Sequence, residues 1–351
     1  MNGHGSSSNG LGLADMRPSE TYYPNHSGAD AGGSSTSAGA PVENGYTHSP
    51  NLYQVHTEAV VNHLYNAGFQ HGNYADTHLY AHQNVYKLHA IILSRSPRLA
   101  HMLSTEPPQS GARTIHLALE QEPEVTPEGI AIALGYLYSP VSFNLVHSEN
   151  ARAALAAACL LGGMDDLCNY AYDICRQSIS VDNISEWLEF VETIPTPSDG
   201  SSTPIEPQHL PPSRTAVFGP YAERLKSDVF SFLVVTLPNI LNINGVSSPG
   251  TPQGDRHSPS DAGRDTLLQV FSRVPFDLFK AAVESPTFQI GSDQARFKFA
   301  KDAIEARRRG IARGQGAEET VVLAFGGTSL GGSAVHVTRK IRKRHLWKVN
   351  S

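Results

Sequence analysis

The stretch that most constrains this chain is residues 75–104, ADTHLYAHQNVYKLHAIILSRSPRLAHMLS. Its two halves keep different periods. Leu79, Ala81, Val85 and Leu88 stand at near-alternating positions on either side of Gln83-Asn84, a turn-favouring pair, so the first half predicts two short antiparallel strands. The second half switches to helical spacing, with Ile92, Leu93, Leu99 and Leu103 recurring while Ser96-Pro97 interrupts the run. That interruption implies two short helices, the second opened by Ser96 as N-cap and Pro97 at its first position. A hairpin leading into a helical pair commits this region to α+β structure.

The flanks extend the pattern. Upstream, Leu52, Val55, Ala59, His63 and Leu64 share one helical stripe over residues 52–67, with Gly68 placed to stop the helix. Downstream, after a loop carrying Pro107-Pro108 and Gly111, residues 114–119 alternate as a third strand. Helical spacing resumes over 127–138 through Ile130, Leu134 and Leu137. Residues 150–161 and 165–179 then read as a helical hairpin broken at Gly162-Gly163, with Leu167, Ala171, Ile174 and Cys175 on one face of its second helix.

Asp76, then Leu88-His89, then Leu93-Ser94-Arg95-Ser96-Pro97, with Tyr136-Leu137-Tyr138 and the wording ACLLGGMDDLC from Ala158 to Cys168, strongly resemble the BTB/POZ family over about residues 52–179. The resemblance implies a short three-stranded sheet flanked by helices, with His89 as a structural histidine. It further implies assembly into homodimers, or binding of protein partners, through this domain, and in many members a role as substrate adaptor for cullin-type ubiquitin ligases. On that basis Leu52, Val55, Ala59, Asp76, Leu103 and Glu106 are the candidate partner contacts. Two departures bear on a cullin partner: family adaptors often carry an apolar-x-Glu motif after the helix, whereas Leu103 and Glu106 stand one residue too far apart, and Ala90 occupies a position where a basic residue is common. Kelch repeats, zinc fingers and a MATH domain, the usual target-reading modules, are absent from the sequence.

Beyond this region, Asn183 and Glu186 form a candidate capping box ahead of Ile184, Trp187, Leu188 and Val191 at i, i+3, i+4 and i+7. The position and wording resemble the start of the helical BACK domain. Helical patterns follow at 225–237, 275–283 and 297–308, so residues 181–310 are expected to form a BACK-like helical region. The wording at 275–280 and 297–301 is similar to fungal and germ-cell-less-type BTB proteins. Residues 195–220, with seven prolines, and 244–264, rich in Gly, Ser and Pro, are expected to be disordered loops that do not pack. Residues 1–50 hold nine Gly and nine Ser with little periodic apolar content, too little burial to offset the entropy of ordering, and are expected to be a disordered arm. At the other end, residues 318–351 predict a β-hairpin, from 321–325 and 334–341 with Val335, Val337 and Ile341 on one face, followed by a basic tail.

Charge and chemistry narrow the function. A net charge of −6 argues against a general nucleic-acid binder. Residues 301–351 nevertheless carry eleven Lys/Arg against four Asp/Glu, and Arg339, Lys340, Arg342, Lys343 and Arg344 form a dense run that reads either as a solvated strand face or as a nuclear import signal. The longest apolar run, 153–161, is nine residues, short of the roughly 18 to 20 that span a bilayer, and the N-terminus lacks a signal-peptide core. No membrane insertion and a cytoplasmic or nuclear location are expected. Cys159, Cys168 and Cys175 include no C-x-x-C pair and read as reduced helix-core thiols. His78, His82 and His89 do not converge by strand alternation, Asp165-Asp166 suits a helix start, and the G-x-S-x-G match at 327–331 lacks the following helix that a nucleophile elbow needs. No catalytic residue, cofactor or metal is expected. The chain reads as a non-enzymatic adaptor or scaffold, with a nuclear co-regulator using the domain for self-assembly as the alternative.

Overall fold

In the computed structural model, the alternation of Thr77, Leu79 and Ala81, all buried, builds strand β1 (Thr77–Ala81), which pairs antiparallel with β2 (Asn84–Leu88). The turn is His82-Gln83 rather than the predicted Gln83-Asn84. His82 takes a left-handed φ of 53°, and the pairing sets Tyr86 opposite Leu79 and Leu88 opposite Thr77, on one face of the sheet. Tyr86 and Leu88 therefore face the core while Val85 is exposed, against the expectation that Val85 points inward. Strand β3 (Arg113–Leu117) joins the other edge of β1, parallel to it, with Leu79 opposite Ile115, giving the order β2-β1-β3. A parallel neighbour needs a crossover, and it is supplied by α2 (Ala90–Leu93) and α3 (Pro97–Thr105). As the sequence predicts, Ser96 Oγ accepts the Leu99 amide at 3.3 Å with Pro97 opening α3, a cap worth about 1 kcal/mol.

The structure describes residues 51–105, 111–194, 213–243, 259–311, 319–325 and 335–341, so the expected N-terminal arm and most of both expected loops lie outside the described residues. Two units divide the chain: one runs to Ala118 and includes Ala131–Phe143, and the other takes Leu119–Ile130 and everything from Asn144. The first unit begins with α1 (Leu52–His63), whose N-cap Asn51 accepts the Tyr53 amide at 3.1 Å. Gly68 does not stop the helix as predicted. The chain widens into a π-helical turn, Leu64–Gln70, that carries Tyr65, Gly68 and Phe69 into the core, and a glycine here leaves room for His89 and Tyr138. The end of α4 (Pro127–Tyr138) completes this core, with Phe69 and Tyr138 ring centroids 5.4 Å apart.

In the second unit α5 (Ala151–Leu161) and α6 (Asp165–Ser178) form the predicted helical hairpin, turned by Gly162 and Gly163, both at φ 71°. Helix α7 (Ile184–Glu192) follows, but the predicted capping box is not made. Asn183 turns its amide back, accepting the Ser180 N–H at 2.8 Å and donating to the Ser178 carbonyl. The end of the proline-rich segment packs, contrary to expectation: Phe218, fully buried, meets Phe190 edge-on at 5.2 Å, and Pro220 opens α8 (Pro220–Ser231). Helix α8 continues through a π-helical turn, Phe232–Thr236, into α9 (Leu237–Ile240). Helix α10 (Pro259–Arg273) is a further correction, since its first turns fall where a loop was predicted, yet Leu267 and Phe271 are completely buried. It joins α11 (Phe276–Glu284) and α12 (Asp293–Ile311) around Phe271, Phe279, Phe288 and Phe299. The predicted hairpin is present as β4 (Glu319–Phe325) antiparallel to β5 (Val335–Ile341), with Val335 and Val337 buried and the Val337 amide donating to Glu284 at 2.6 Å.

Candidate protein-interaction surface

An apolar helix in water is unfavourable unless something covers it, because each large aliphatic side chain left exposed forgoes roughly 1.5–3 kcal/mol of burial. Helix α1 is in that position. Its sequence, LYQVHTEAVVNH, has a single formal charge, Glu58, and none of its twelve residues is buried. Leu52 is 86% exposed, Tyr53 75% and Val55 46%, and Ala59 and Val60 are exposed beside them. The helix is held at its C-terminal end, where the π-helical turn plants Tyr65 and Phe69 in the first unit. Leu52, Val55 and Ala59, predicted as partner contacts, thus share an open helix. Sequence reasoning passed over Tyr53, Tyr74 and Ile91, which are also exposed; the stripe pattern directs attention to apolar periodicity and carries no signal for an apolar residue standing off the stripe.

The remaining predicted contacts sit differently. Asp76 is exposed, but its Oδ1 accepts the Ala90 amide at 2.7 Å and the Thr77 hydroxyl at 2.9 Å, fastening the start of β1 to the first turn of α2. Leu103 belongs to the core at 8% exposure, and Glu106 lies outside the described residues. In the basic run, Arg339 and Lys340 occupy β5 opposite Val321 and Thr320, while Arg342, Lys343 and Arg344 lie outside the described residues.

The histidines are dispersed. His89 is bound between Tyr138 Oη, 3.0 Å from Nδ1, and the Asn73 carbonyl, 2.9 Å from Nε2, while its backbone amide donates to the same phenol. Burial pushes the Tyr138 hydroxyl well above its ordinary range, so it stays protonated and can both accept and donate in this knot. His82 is at the β1-β2 turn, and among the described residues no group of three or more His, Cys, Asp or Glu could hold a metal ion. The segment 327–331 lies outside the described residues. No helix among the described residues is long and apolar enough to cross a membrane.

In the second unit Glu124, 4% exposed, is flanked by Arg152 Nε at 2.8 Å and by Arg214. Arg152 also lies over Phe190 and Trp187. Ser213 and Thr215 bond to the Thr193 carbonyl, so the two ends of the proline-rich segment are pinned together. Two thiols come together as well: Cys159 and Cys168 lie 3.8 Å apart across the α5-α6 hairpin. Sequence reasoning missed this pair. The available signal was their placement three residues before Gly162 and five after Gly163, which sets them opposite each other once the two glycines reverse the chain.

A three-stranded mixed sheet whose parallel crossover is a helical pair, with an apolar helix ahead of its first strand, is the α+β fold of a BTB/POZ domain, a class of protein-interaction module. No family model matches the chain. Among curated proteins the chain is similar to BTB/POZ domain-containing protein 2 of Schizosaccharomyces pombe, 27% identical over 297 residues that cover 82% of this chain and 90% of that protein. At 297 residues the likeness is longer than the sheet region alone and takes in helical sequence as well.

Proposed function

We propose that this chain is a non-enzymatic BTB/POZ adaptor or scaffold that assembles through α1, with Leu52, Val55 and Ala59 at the centre of the contact. The observation that carries this reading is the twelve-residue helix with no buried side chain, anchored by the turn that follows it. A homodimer in which each copy covers the other's α1 satisfies the exposed stripe with a symmetric interface, the commonest oligomeric arrangement. Such an interface needs at least about 1,000 Å² in total to persist at micromolar concentration. The helical region after residue 180 is read as BACK-like, and target recognition is assigned to it or to the tail.

Linkage to a cullin-type ubiquitin ligase is the finer reading of adaptor function. The alternative is a nuclear scaffold that uses α1 for self-assembly and the basic run from Arg339 for localisation. Affinity purification of the tagged full chain from native cells separates the two. A cullin in the eluate supports the adaptor, and chromatin or nuclear-envelope proteins without a cullin support the scaffold.

A further inference from the structure

We propose that Cys159 and Cys168 form a redox-sensitive pair: a two-electron oxidant of the peroxide class converts them to a disulfide that ties α5 to α6, and the same event releases the turn Ala216–Phe218. Three observations carry this. The sulfurs are 3.8 Å apart, so a bond of about 2.05 Å requires less than 2 Å of closure, within reach of side-chain rotation beside the glycine turn. Neither residue is open to bulk water, Cys159 being half-buried and Cys168 buried, so only a small oxidant of the peroxide class is suited to the pair. Cys159 is also 3.9 Å from the Phe218 carbonyl, so its sulfhydryl links the hairpin to the segment that re-enters the fold after residue 212.

The electrostatics favour loss of one proton from the pair. The hydrogen bond from Cys159 draws the Cys168 thiol below its ordinary range, while the same bond, with burial, drives Cys159 up. The thiolate attacks one oxygen of the peroxide, the O–O bond breaks, and the departing hydroxide takes up a proton to leave as water. The remaining thiol attacks the sulfenic acid so formed, the S–O bond breaks, and a second water leaves with that thiol's proton. Two electrons pass from sulfur to peroxide and one disulfide is made. Cys175 is the internal control. It is buried, and its thiol is pushed up to about 12 by desolvation.

The disulfide takes the Cys159 sulfur away from the Phe218 carbonyl, since that contact needs the S–H hydrogen that oxidation removes. The turn then keeps its own backbone bonds and the packing of Phe218 on Phe190, but loses the sulfhydryl contact with α5.

The test treats the folded full chain with hydrogen peroxide, blocks free thiols, and cleaves before aspartate. Cleavage at Asp165 and Asp173 puts the three cysteines on three different peptides. The expected result is a Cys159–Cys168 cross-linked peptide, removed by dithiothreitol, with Cys175 recovered in the blocked form only after unfolding, and faster amide exchange at Phe218 and Gly219 in the oxidised protein. Cys168→Ser and, as a second variant, Cys159→Ala should each abolish the cross-link in protein that still melts cooperatively. Oxidation of Cys175 at the same rate, or absence of the 159–168 link at peroxide levels that oxidise free methionine added to the sample, overturns the pair. A cross-link with unchanged exchange at Phe218 overturns the release of the turn.

Discussion

Helices α1 and α5 have nearly equal lengths, twelve and eleven residues, and both are rich in apolar side chains, yet their burial is opposite. Helix α5 buries Ala151, Ala154, Leu155, Ala156, Ala157, Ala158 and Leu161, whereas α1 buries nothing. Composition therefore does not decide which helix is core. The decisive differences lie in what flanks each one. Helix α5 is returned onto α6 by two left-handed glycines and is gripped through Arg152 by a buried carboxylate, while α1 has no buried residue and is held through the π-helical turn that follows it. An alanine-rich helix allows close approach on all sides, as at Gly129, where an added Cβ would run into the backbone of Ala153. Helix α1 instead projects larger Leu, Val and Tyr side chains that stand exposed among the described residues, and that surface is the physical basis of the proposed assembly.

The strongest way to break this contrast is to place a charge on each helix in turn. Leu155→Asp should abolish folding of its unit, because an unpaired carboxylate at a completely buried position costs several kcal/mol against a total of roughly 5 to 15. A variant that still gives a single cooperative urea transition near the wild-type midpoint would place α5 outside the core. Leu93→Asp makes the same test in the first unit, where Leu93 is fully buried.

Glu124→Ala probes the grip on α5 and should cost about 2 kcal/mol, less than the loss from a fully buried pair because Arg152 and Arg214 keep side-chain exposures of 29% and 48% and can be rehydrated. The urea midpoint should drop accordingly, and proteolysis within residues 195–212 should quicken. No change in either reading would show that these ion pairs do not hold the segment.

The anchor of α1 can be examined through pH. Burial raises the Tyr138 phenol above its ordinary value of 10.0, against the opposing hydrogen bond from the His89 amide, and Tyr86 shifts the same way by burial. The folded state then binds more protons than the unfolded state above pH 10, so its stability is full below that pH and falls as pH rises, by at most about 1.4 kcal/mol per pH unit for each group. Tyr138→Phe should flatten part of that decline in alkaline urea titrations, and an unchanged slope would remove Tyr138 as its source.

Much of this architecture was legible along the chain. The switch from alternating to helical spacing located β1, β2, α2 and α3, and the Ser96-Pro97 cap is bonded as its sequence suggests. Local periodicity was less able to place the β1-β2 turn, because His82 adopts a left-handed φ that its residue type does not advertise. It missed α10 because the helix begins in Gly-, Ser- and Pro-rich sequence, and Gly263 is tolerated there by its close crossing of Leu241, a tertiary cause. The roles of Asp76 at Ala90, of Glu124 between two arginines and of the paired thiols were equally hidden, since each depends on partners brought from elsewhere in the sequence. Helix α1 was visible as a stripe, but a stripe is the same whether what covers it is this chain or another.

The smallest stability effect is expected from Val55→Glu, within about 0.5 kcal/mol for the isolated chain, because Val55 is already half in water. Its effect on assembly should be the largest of all, and sedimentation equilibrium of the full chain at tens of micromolar reads it directly. The expected mass is twice the 37.9 kDa of one chain for the unmutated protein and that of a single chain for Val55→Glu. A single-chain mass for the unmutated protein, or an undiminished dimer for Val55→Glu, would contradict it.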